Sequence, residues 1–334
     1  MFLTGGTGLV GRHVIAALRA RGDRVRGLAR TAAAAAQLAA LGAEPVQGDL
    51  TAAAGLESAI AGCDAVVHAA AMVLSGKSWP AWQATNVLGT ELVARAAARQ
   101  RTRLVHLSSV AVYGRQTTYD GGPASVDEDF GLDRPVSPRD LYARSKRDAE
   151  LAVWRVAAET GLSAVALRPC VVYGEGDRHF APRVAWELRR GLAPVVGRGD
   201  NQLSVVYAGN VAAAVLAALD RRGADGPFNV TNDGPVTQRG FLEHFAAGLG
   251  IPARWHRIPT GIARSAAGLW DAAFRLLPRH VRLMRLGATV DWLVSENPYT
   301  SARAERQLQW RPVVPPGDAV ERTGRSFRER RDGA

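Results

Sequence analysis

The first twenty residues alternate between apolar and polar stretches in a way that predicts their structure. Phe2 and Leu3 are apolar, Thr4-Gly5-Gly6-Thr7-Gly8 is not, and from Leu9 onward Val14, Ile15 and Leu18 recur at helical spacing. Apolar residues three and four apart share one helix face, so the stretch predicts a short buried strand, a glycine turn and a helix. The same rhythm continues. Strands are predicted over Arg24 to Leu28, over Pro45 to Leu50 and from Asp64 into Ala69-Ala70-Ala71, with helices over Ala32 to Leu41 and Leu56 to Ile60 between them. A helix over Thr85 to Arg99 leads to a strand, Arg103 to Leu107, that ends in Ser108-Ser109. An acidic, Pro/Gly-rich stretch to about Pro138 precedes a helix from Tyr142 to Thr160 and a sixth strand, Ser163 to Leu167, ending in Arg168-Pro169.

Strands alternating with helices imply an α/β fold, a Rossmann-type doubly wound parallel sheet whose ligands sit at the carboxyl ends of the strands. Beyond Val171 the pattern is mixed. Val205-Val206-Tyr207, Phe228-Asn229-Val230 and a helix from Phe241 to Leu249 read as parts of a smaller, interleaved α/β substrate-binding cap. We therefore expect a dinucleotide-binding region over 1–170 and mainly cap over 171–334, with segments near 203–220 returning to the main sheet.

Composition narrows the function classes. Of 334 residues, 47% are hydrophobic and 22% charged, which suits a packed core rather than disorder. No apolar run is long enough to span a bilayer, and Met1 leads straight into the first strand without a signal peptide. The two cysteines, Cys63 and Cys170, form no disulfide or zinc pattern, so a cytoplasmic location is expected. The seven histidines lack ligand spacing, and no metal is expected. A net charge of +11 favours anionic partners, yet the basic residues are spread along the chain without a nucleic-acid recognition motif.

Three stretches carry candidate chemistry. A glycine turn opening a helix binds phosphate, because free N–H groups and the helix dipole attract an anion and glycine lets it approach the backbone. The second strand ends Leu28-Ala29-Arg30, with no carboxylate for an adenosine ribose but with an arginine suited to a 2′-phosphate; NADP(H) is favoured and NAD(H) stays possible. Tyr142 and Lys146 stand four apart on one helix face, where an ammonium would lower the phenol pKa toward neutrality.

Together these residues resemble the extended short-chain dehydrogenase/reductase family along essentially the whole chain. The matching stretches are Thr4 to Gly11, Asp49-Leu50, Asn86 to Thr90, Ser108 to Gly114, Tyr142/Lys146 and Arg168-Pro169. The resemblance implies that Gly5, Gly8, Leu9, Val10, Gly11, Arg30, Asp49, Leu50, Ala69, Ala70, Pro169 and Val171 hold the coenzyme together with Tyr142 and Lys146. It implies a catalytic set of Ser109, Tyr142, Lys146 and Asn86. Tyr142 would move the proton, Ser109 would hydrogen-bond the substrate oxygen, and Lys146 would tune Tyr142 and bind the ribose. Asn86 would either support a proton relay to Lys146 or shape its helix. The implied reaction interconverts a secondary alcohol and a ketone on a hydrophobic steroid-, isoprenoid- or acyl-like substrate. A nucleotide-sugar epimerase with retained NAD and a non-catalytic NADP(H) sensor are the alternatives. A sugar dehydratase fits less well, since Ser109 is followed by Val110-Ala111 and not Asp-Glu.

The second half is most similar to the 3β-hydroxysteroid and sterol dehydrogenase branch, through Gly176-Asp177-Arg178, Gly197 to Asn201, Tyr207 to Ala212 and Phe228 to Asp233. Two departures stand out. Ala29 occupies a place where that branch often has a carboxylate. The first strand is also unusually short before Gly5, as in a chain that starts later than its relatives, and weaker pairing is expected there. From Ile258 to Trp292 the chain mixes Leu269, Trp270, Phe274, Leu276, Leu277, Leu283, Met284 and Leu286 with Arg264, Arg275, Arg279, Arg282 and Arg285. Cap helices with solvated arginines are favoured there over a membrane-touching surface. Family analogy also implies a homodimer through the Thr85–Arg99 and Tyr142–Thr160 helices.

Overall fold

The structure, a computed structural model, describes residues 1–53, 55–73, 78–114, 125–133, 136–138, 140–231, 233–274 and 286–332. In chain order its elements are β1 (Phe2–Thr4), α1 (Leu9–Ala20), β2 (Arg26–Ala29), α2 (Ala32–Ala40), β3 (Glu44–Gln47), α3 (Leu56–Ile60), β4 (Ala65–His68), α4 (Trp79–Trp82), α5 (Gly89–Arg99), β5 (Arg103–Leu107), α6 (Leu141–Thr160), β6 (Ala164–Pro169) and β7 (Val171–Tyr173). These are followed by α7 (Ala181–Arg189), β8 (Ala193–Val196), β9 (Val205–Tyr207), α8 (Ala208–Asp220), β10 (Gly226–Val230), α9 (Gln238–Leu249), β11 (Trp255–Ile258), α10 (Thr260–Phe274), α11 (Leu286–Val294) and α12 (Pro316–Asp332).

Successive strand residues face opposite sides, so a strand apolar at every position must be covered on both. That is the case here. Phe2 packs with Val66, Val93, Leu104 and Val153 on one side of the sheet, whereas Leu3 packs with Ile15, Val105, Leu167 and Val215 on the other. The strands form a seven-stranded sheet in the order β10-β6-β5-β4-β1-β2-β3, every neighbouring pair parallel. β1 proceeds outward to β2 and β3, while β4 returns to the other flank of β1. The strand order thus reverses between β1 and β4, which opens a crevice at their carboxyl ends. Short as it is, β1 is fully buried and paired on both sides. The edge strand β3 carries Pro45, which a central strand would reject.

Two parallel strand pairs, β7–β9 and β8–β11, lie outside this sheet. They share a second core with α7, α9 and α12 that includes Tyr173, Val184, Phe241, Phe245 and Phe327. The structure corrects one sequence assignment: Phe228-Asn229-Val230 belongs to β10, the edge strand of the main sheet beside β6, and not to the cap. A three-residue apolar run does not say which sheet it pairs with. The segment 203–220 divides, with β9 pairing β7 while α8 packs on α1 and over β5 and β6. The helix expected over Thr85 to Arg99 is also interrupted. A wide π-type turn, Gln83–Leu88, joins α4 to α5 and holds Asn86 at its centre.

Among the described residues no helix is long and apolar enough to cross a membrane, and no group of three His, Cys, Asp or Glu side chains could hold a metal ion. The segment 258–292 contains α10 packed against α11, with Arg264 paired to Asp291 at 3.2 Å. Ile262, Leu269 and Trp270 of α10 are exposed. The expectations for Arg275, Leu276, Leu277, Arg279, Arg282, Leu283, Met284 and Arg285 lie outside the described residues, as does that for the Phe274 side chain.

Candidate functional site

The crevice between β1 and β4 is built by backbone. Gly5 has φ +73°, and a Cβ there would stand 2.5 Å from the amide nitrogen of Ala70, so the end of β4 closes over the turn only because the residue is glycine. Gly11 is equally constrained, since its Cβ would meet the carbonyl oxygen of Gly5 at 2.1 Å. Gly8 starts α1 without a side-chain cap. The first-turn amides of Leu9 and Val10 therefore offer an anion site, as helix N-termini do. The Thr4 carbonyl accepts from the Ala69 amide at 3.2 Å, which fixes Ala69 and Ala70 as the small-residue wall. These features fit the pyrophosphate of a dinucleotide.

Farther out, Arg30 is exposed just beyond β2 and its carbonyl accepts from Gln47 Nε2 at 3.0 Å. The Asp49 carboxylate accepts the amide and hydroxyl of Thr51, both at 2.9 Å. Those bonds, and then the nearby Arg30 charge, hold its pKa below the usual range. Leu50 lies beside Gly89, where a Cβ would be 3.3 Å from Leu50 Cβ. Arg30, Asp49 and Leu50 thus gather at one end of the crevice. Pro169 ends β6 and is buried, and exposed Val171 opens β7. Between them Cys170 is buried, its thiol donating to the Thr231 carbonyl, with its pKa pushed up by burial.

The strand-end hydroxyl and the helix tyrosine meet. Ser109 caps a short 3₁₀ turn, Val110–Tyr113, its Oγ accepting the Ala111 amide at 3.2 Å, and its side chain is near enough to the Tyr142 phenol to lower the phenol's pKa. The Trp82 ring packs edge-on against Tyr142 at 6.4 Å. Lys146 lies one helical turn on and is buried, its ammonium donating to the Leu107 carbonyl at 2.5 Å. Burial pulls the Lys146 pKa down to about 8, against the opposing pull of Glu150. The expected effect on Tyr142 is reversed: burial raises the phenol pKa, and the neighbouring Ser109 side chain offsets it only in part. The ammonium is engaged with backbone, so desolvation decides the direction.

Asn86 does not reach Lys146. Its Oδ1 accepts the Met72 amide at 2.7 Å, and Nδ2 donates to the Met72 carbonyl and to Ser145 Oγ, both at 2.9 Å. Ser145 in turn donates to the Tyr142 carbonyl at 2.9 Å, so Asn86 ties the wide turn to the tyrosine's own backbone. The Asn86 carbonyl accepts from Thr90 Oγ1 at 2.6 Å. With its proton committed there, Thr90 must accept from His68 Nε2 at 2.9 Å, and His68 Nδ1 then accepts from the Thr4 hydroxyl at 2.7 Å. This directed chain runs from the glycine-turn strand to the Asn86 bulge. It requires a neutral His68, and burial, assisted by the Lys146 charge, pushes that pKa down to about 3.

Sequence reasoning missed the layer beneath. Glu150, one turn beyond Lys146, is fully buried and accepts from Ser108 Oγ at 2.5 Å, Trp154 Nε1 at 3.1 Å and the Arg168 guanidinium. Arg168 also donates to the Tyr113 hydroxyl at 2.7 Å, which donates to Asn229 Oδ1 at 2.8 Å. The four-residue spacing Tyr142, Lys146, Glu150, Trp154 was legible as one helix face; nothing in the sequence pointed to Trp82 or to His106, stacked on His68 at 5.3 Å.

The family model described as "NAD dependent epimerase/dehydratase family" matches residues 1–231. The chain is 35% identical over 309 residues to the 4-hydroxy-2-methyl-3-oxo-4-farnesyl-3,4-dihydroquinoline-1-oxide ketoreductase of Stigmatella aurantiaca, covering 92% of this chain and 90% of that one. It is 32% identical to the 2-alkyl-3-oxoalkanoate reductase of Shewanella oneidensis, covering 83% and 73%. Relatives of lower identity include 3β-hydroxysteroid dehydrogenase/decarboxylases. Among solved structures, the UDP-glucuronic acid 4-epimerase of Bacillus cereus in complex with NAD superposes with a TM-score of 0.74 at 17% identity, covering 100% and 97%. With its reversed strand order, glycine cradle and convergent Ser109, Tyr142 and Lys146, the chain belongs to the NAD dependent epimerase/dehydratase family of enzymes, the extended short-chain dehydrogenases/reductases.

Proposed function

We propose that the protein is a ketoreductase that interconverts a ketone and a secondary alcohol on a lipophilic 3-oxo compound, with NADP(H) as the favoured coenzyme. The observation that carries the reading is the placement of Ser109 at the carboxyl end of β5 beside the Tyr142 phenol, whose pKa it lowers, with Lys146 buried one turn away against the Leu107 carbonyl. The likeness to a farnesyl-quinoline ketoreductase over nearly the full length of both chains supports the substrate class. When bound, the nicotinamide supplies or accepts the hydride. Tyr142 gives its proton to the carbonyl oxygen in reduction, and its raised pKa keeps it in the protonated form that this direction needs. Ser109 donates to the same oxygen as charge develops there. Lys146, with its pKa near 8, is the group through which the phenol is recharged and the ribose held. Asn86 acts as a positioning residue through Ser145 and the wide turn.

Arg30 and the lack of a carboxylate at the end of β2 support the choice of NADP(H). Residues 1–170 form the coenzyme region of this reading and most of 171–334 the cap. The working form is a cytoplasmic homodimer joined through the outer faces of α5 and α6, which sedimentation velocity tests.

The deciding experiment is a reduction screen with NADPH and NADH on 2-alkyl-3-oxo acids, prenylated 3-oxo quinolines, steroids and UDP-sugars. Wild type should turn over one of the lipophilic ketones. Tyr142→Phe should keep coenzyme affinity and lose turnover by about 10²–10⁴-fold, the range of a general acid. Near-normal turnover in the variant sinks the assignment, and UDP-sugar epimerisation with tightly co-purifying NAD would replace it.

A further inference from the structure

A cavity of about 610 Å³ lies where α7, α9, the segment leading into β11 and α12 meet. Four arginines line it, Arg189, Arg190, Arg254 and Arg328, and among the described residues no carboxylate does. Its apolar wall includes Leu188 and Ile251. None of these residues belongs to the Ser109, Tyr142 and Lys146 set or to the glycine turn.

Arginines gather at helix C-termini simply to meet the last carbonyls. One of the four bonds helix backbone: Arg189 Nη2 donates to the Phe327 carbonyl of α12 at 2.9 Å. Arg190 lies over the Trp186 ring with its guanidinium carbon 4.4 Å from the centroid. Arg254 and Arg328 have neither an ion pair nor a hydrogen bond among the described residues. Cations held around one concavity without a counter-charge repel one another, and an anion in their midst reverses that repulsion. A guanidinium fork matches phosphate oxygens two at a time. The volume lies within the range of small-molecule sites.

We propose that this cavity is a second anion site, separate from the dinucleotide turn. It takes a small molecule bearing a phosphate or pyrophosphate, whose apolar part lies against Leu188 and Ile251. The phosphate can be that of a free phosphorylated metabolite or of a lipid headgroup, and the two sources are distinguished by the probe. Full-length protein saturated with the nicotinamide dinucleotide is titrated calorimetrically with inorganic pyrophosphate, and in parallel sedimented with phosphatidylglycerol or phosphatidylcholine vesicles. The same measurements are made on Arg254→Ala, Arg328→Ala and the double charge reversal R254E/R328E, all at exposed positions. Pyrophosphate should bind, each alanine should weaken it about tenfold, as expected for lost charge-assisted hydrogen bonds, and the reversal should abolish it. Turnover of the coenzyme-dependent reaction should stay at the wild-type level. Binding to phosphatidylglycerol vesicles without pyrophosphate binding, lost in the same variants, assigns the site to a headgroup. Binding unaffected by the substitutions, or no binding of either probe, overturns the proposal.

Discussion

Lys146 is where sequence and structure part at the scale of one residue. Four-residue spacing puts it on the Tyr142 face, and that much was legible. Its effect on Tyr142 was not, because the direction of a pKa shift depends on burial contributed by distant elements: β5 through Leu107, α4 through Trp82, and the Ser109 strand end. The buried ammonium also bears on stability. An unfolded lysine keeps its proton up to a pKa of 10.5, while folded Lys146 releases its own near 8. Between those values the unfolded chain binds more protons, so stability climbs with pH across that window, and below it the charged ammonium costs up to about 3 kcal/mol. Lys146→Met should therefore be more stable than wild type at pH 7, by roughly 1–3 kcal/mol in a denaturant melt, and inactive. The advantage should shrink by pH 10. A variant less stable at both pH values would show that the bond to Leu107 outweighs the desolvation.

Arg30 argues at the same scale. It is exposed, so its substitution should leave the melting curve unchanged. Arg30→Ala should weaken NADPH by about tenfold, the worth of one charge-assisted contact, and leave NADH within about twofold. Equal losses for both coenzymes would assign Arg30 to the solvated surface.

At the scale of elements, α6 organises the site because each of its inward turns does something different. Tyr142 meets Ser109, Lys146 meets β5, Glu150 meets β6 through Arg168, and Trp154 bonds Glu150 from below. The Glu150–Arg168 pair is buried on both sides. Removing one partner of such a pair strands a charge, whereas removing both does not. Glu150→Ala should cost about 3–5 kcal/mol and cripple activity by letting α6 shift; Glu150→Leu with Arg168→Met should recover most of the stability. A double variant as unstable as the single one would mean that Ser108 and Tyr113, left without their partners, carry the cost. The alternation that predicted α6 and the six strands came from apolar spacing alone. The π turn at Asn86 did not, since it depends on the Met72 backbone, a contact made only once β4 and α4 are in place. The same holds for β10, whose partner is chosen by the free edge of β6.

At the scale of the whole molecule, the branch motifs of the second half proved to be joints of the fold. Asp177 caps α7 by accepting the amides of His179, Phe180 and Ala181. Asn210 bonds Asp233 and the backbone of Val313 and Val314. Asn201 holds the backbone of Leu293 and Ser295. Such residues mark a branch without naming a substrate, which is why the sequence spoke clearly of the chemistry and only coarsely of the ligand. A further joint links α1, which packs in the first core, to Tyr207 of the second. His13 of α1, its pKa lowered chiefly by burial, donates from Nε2 to the Glu175 carbonyl at 3.1 Å, and Tyr207 donates to the Glu175 carboxylate at 2.7 Å. Arg12 packs against Gly176 beside it. An anion that orders the first turn of α1 should therefore also order 174–180, and an ordered cap then has less conformational freedom to lose when substrate arrives. Amide exchange followed by mass spectrometry should show both Gly5–Val10 and 174–180 slowing when the dinucleotide is added. In Tyr207→Phe, which frees the Glu175 carboxylate, Gly5–Val10 should keep its protection while 174–180 loses most of it, and the KM for the ketone should rise severalfold with little change for the coenzyme. Undiminished protection of 174–180 in that variant would show that the joint does not carry the coupling.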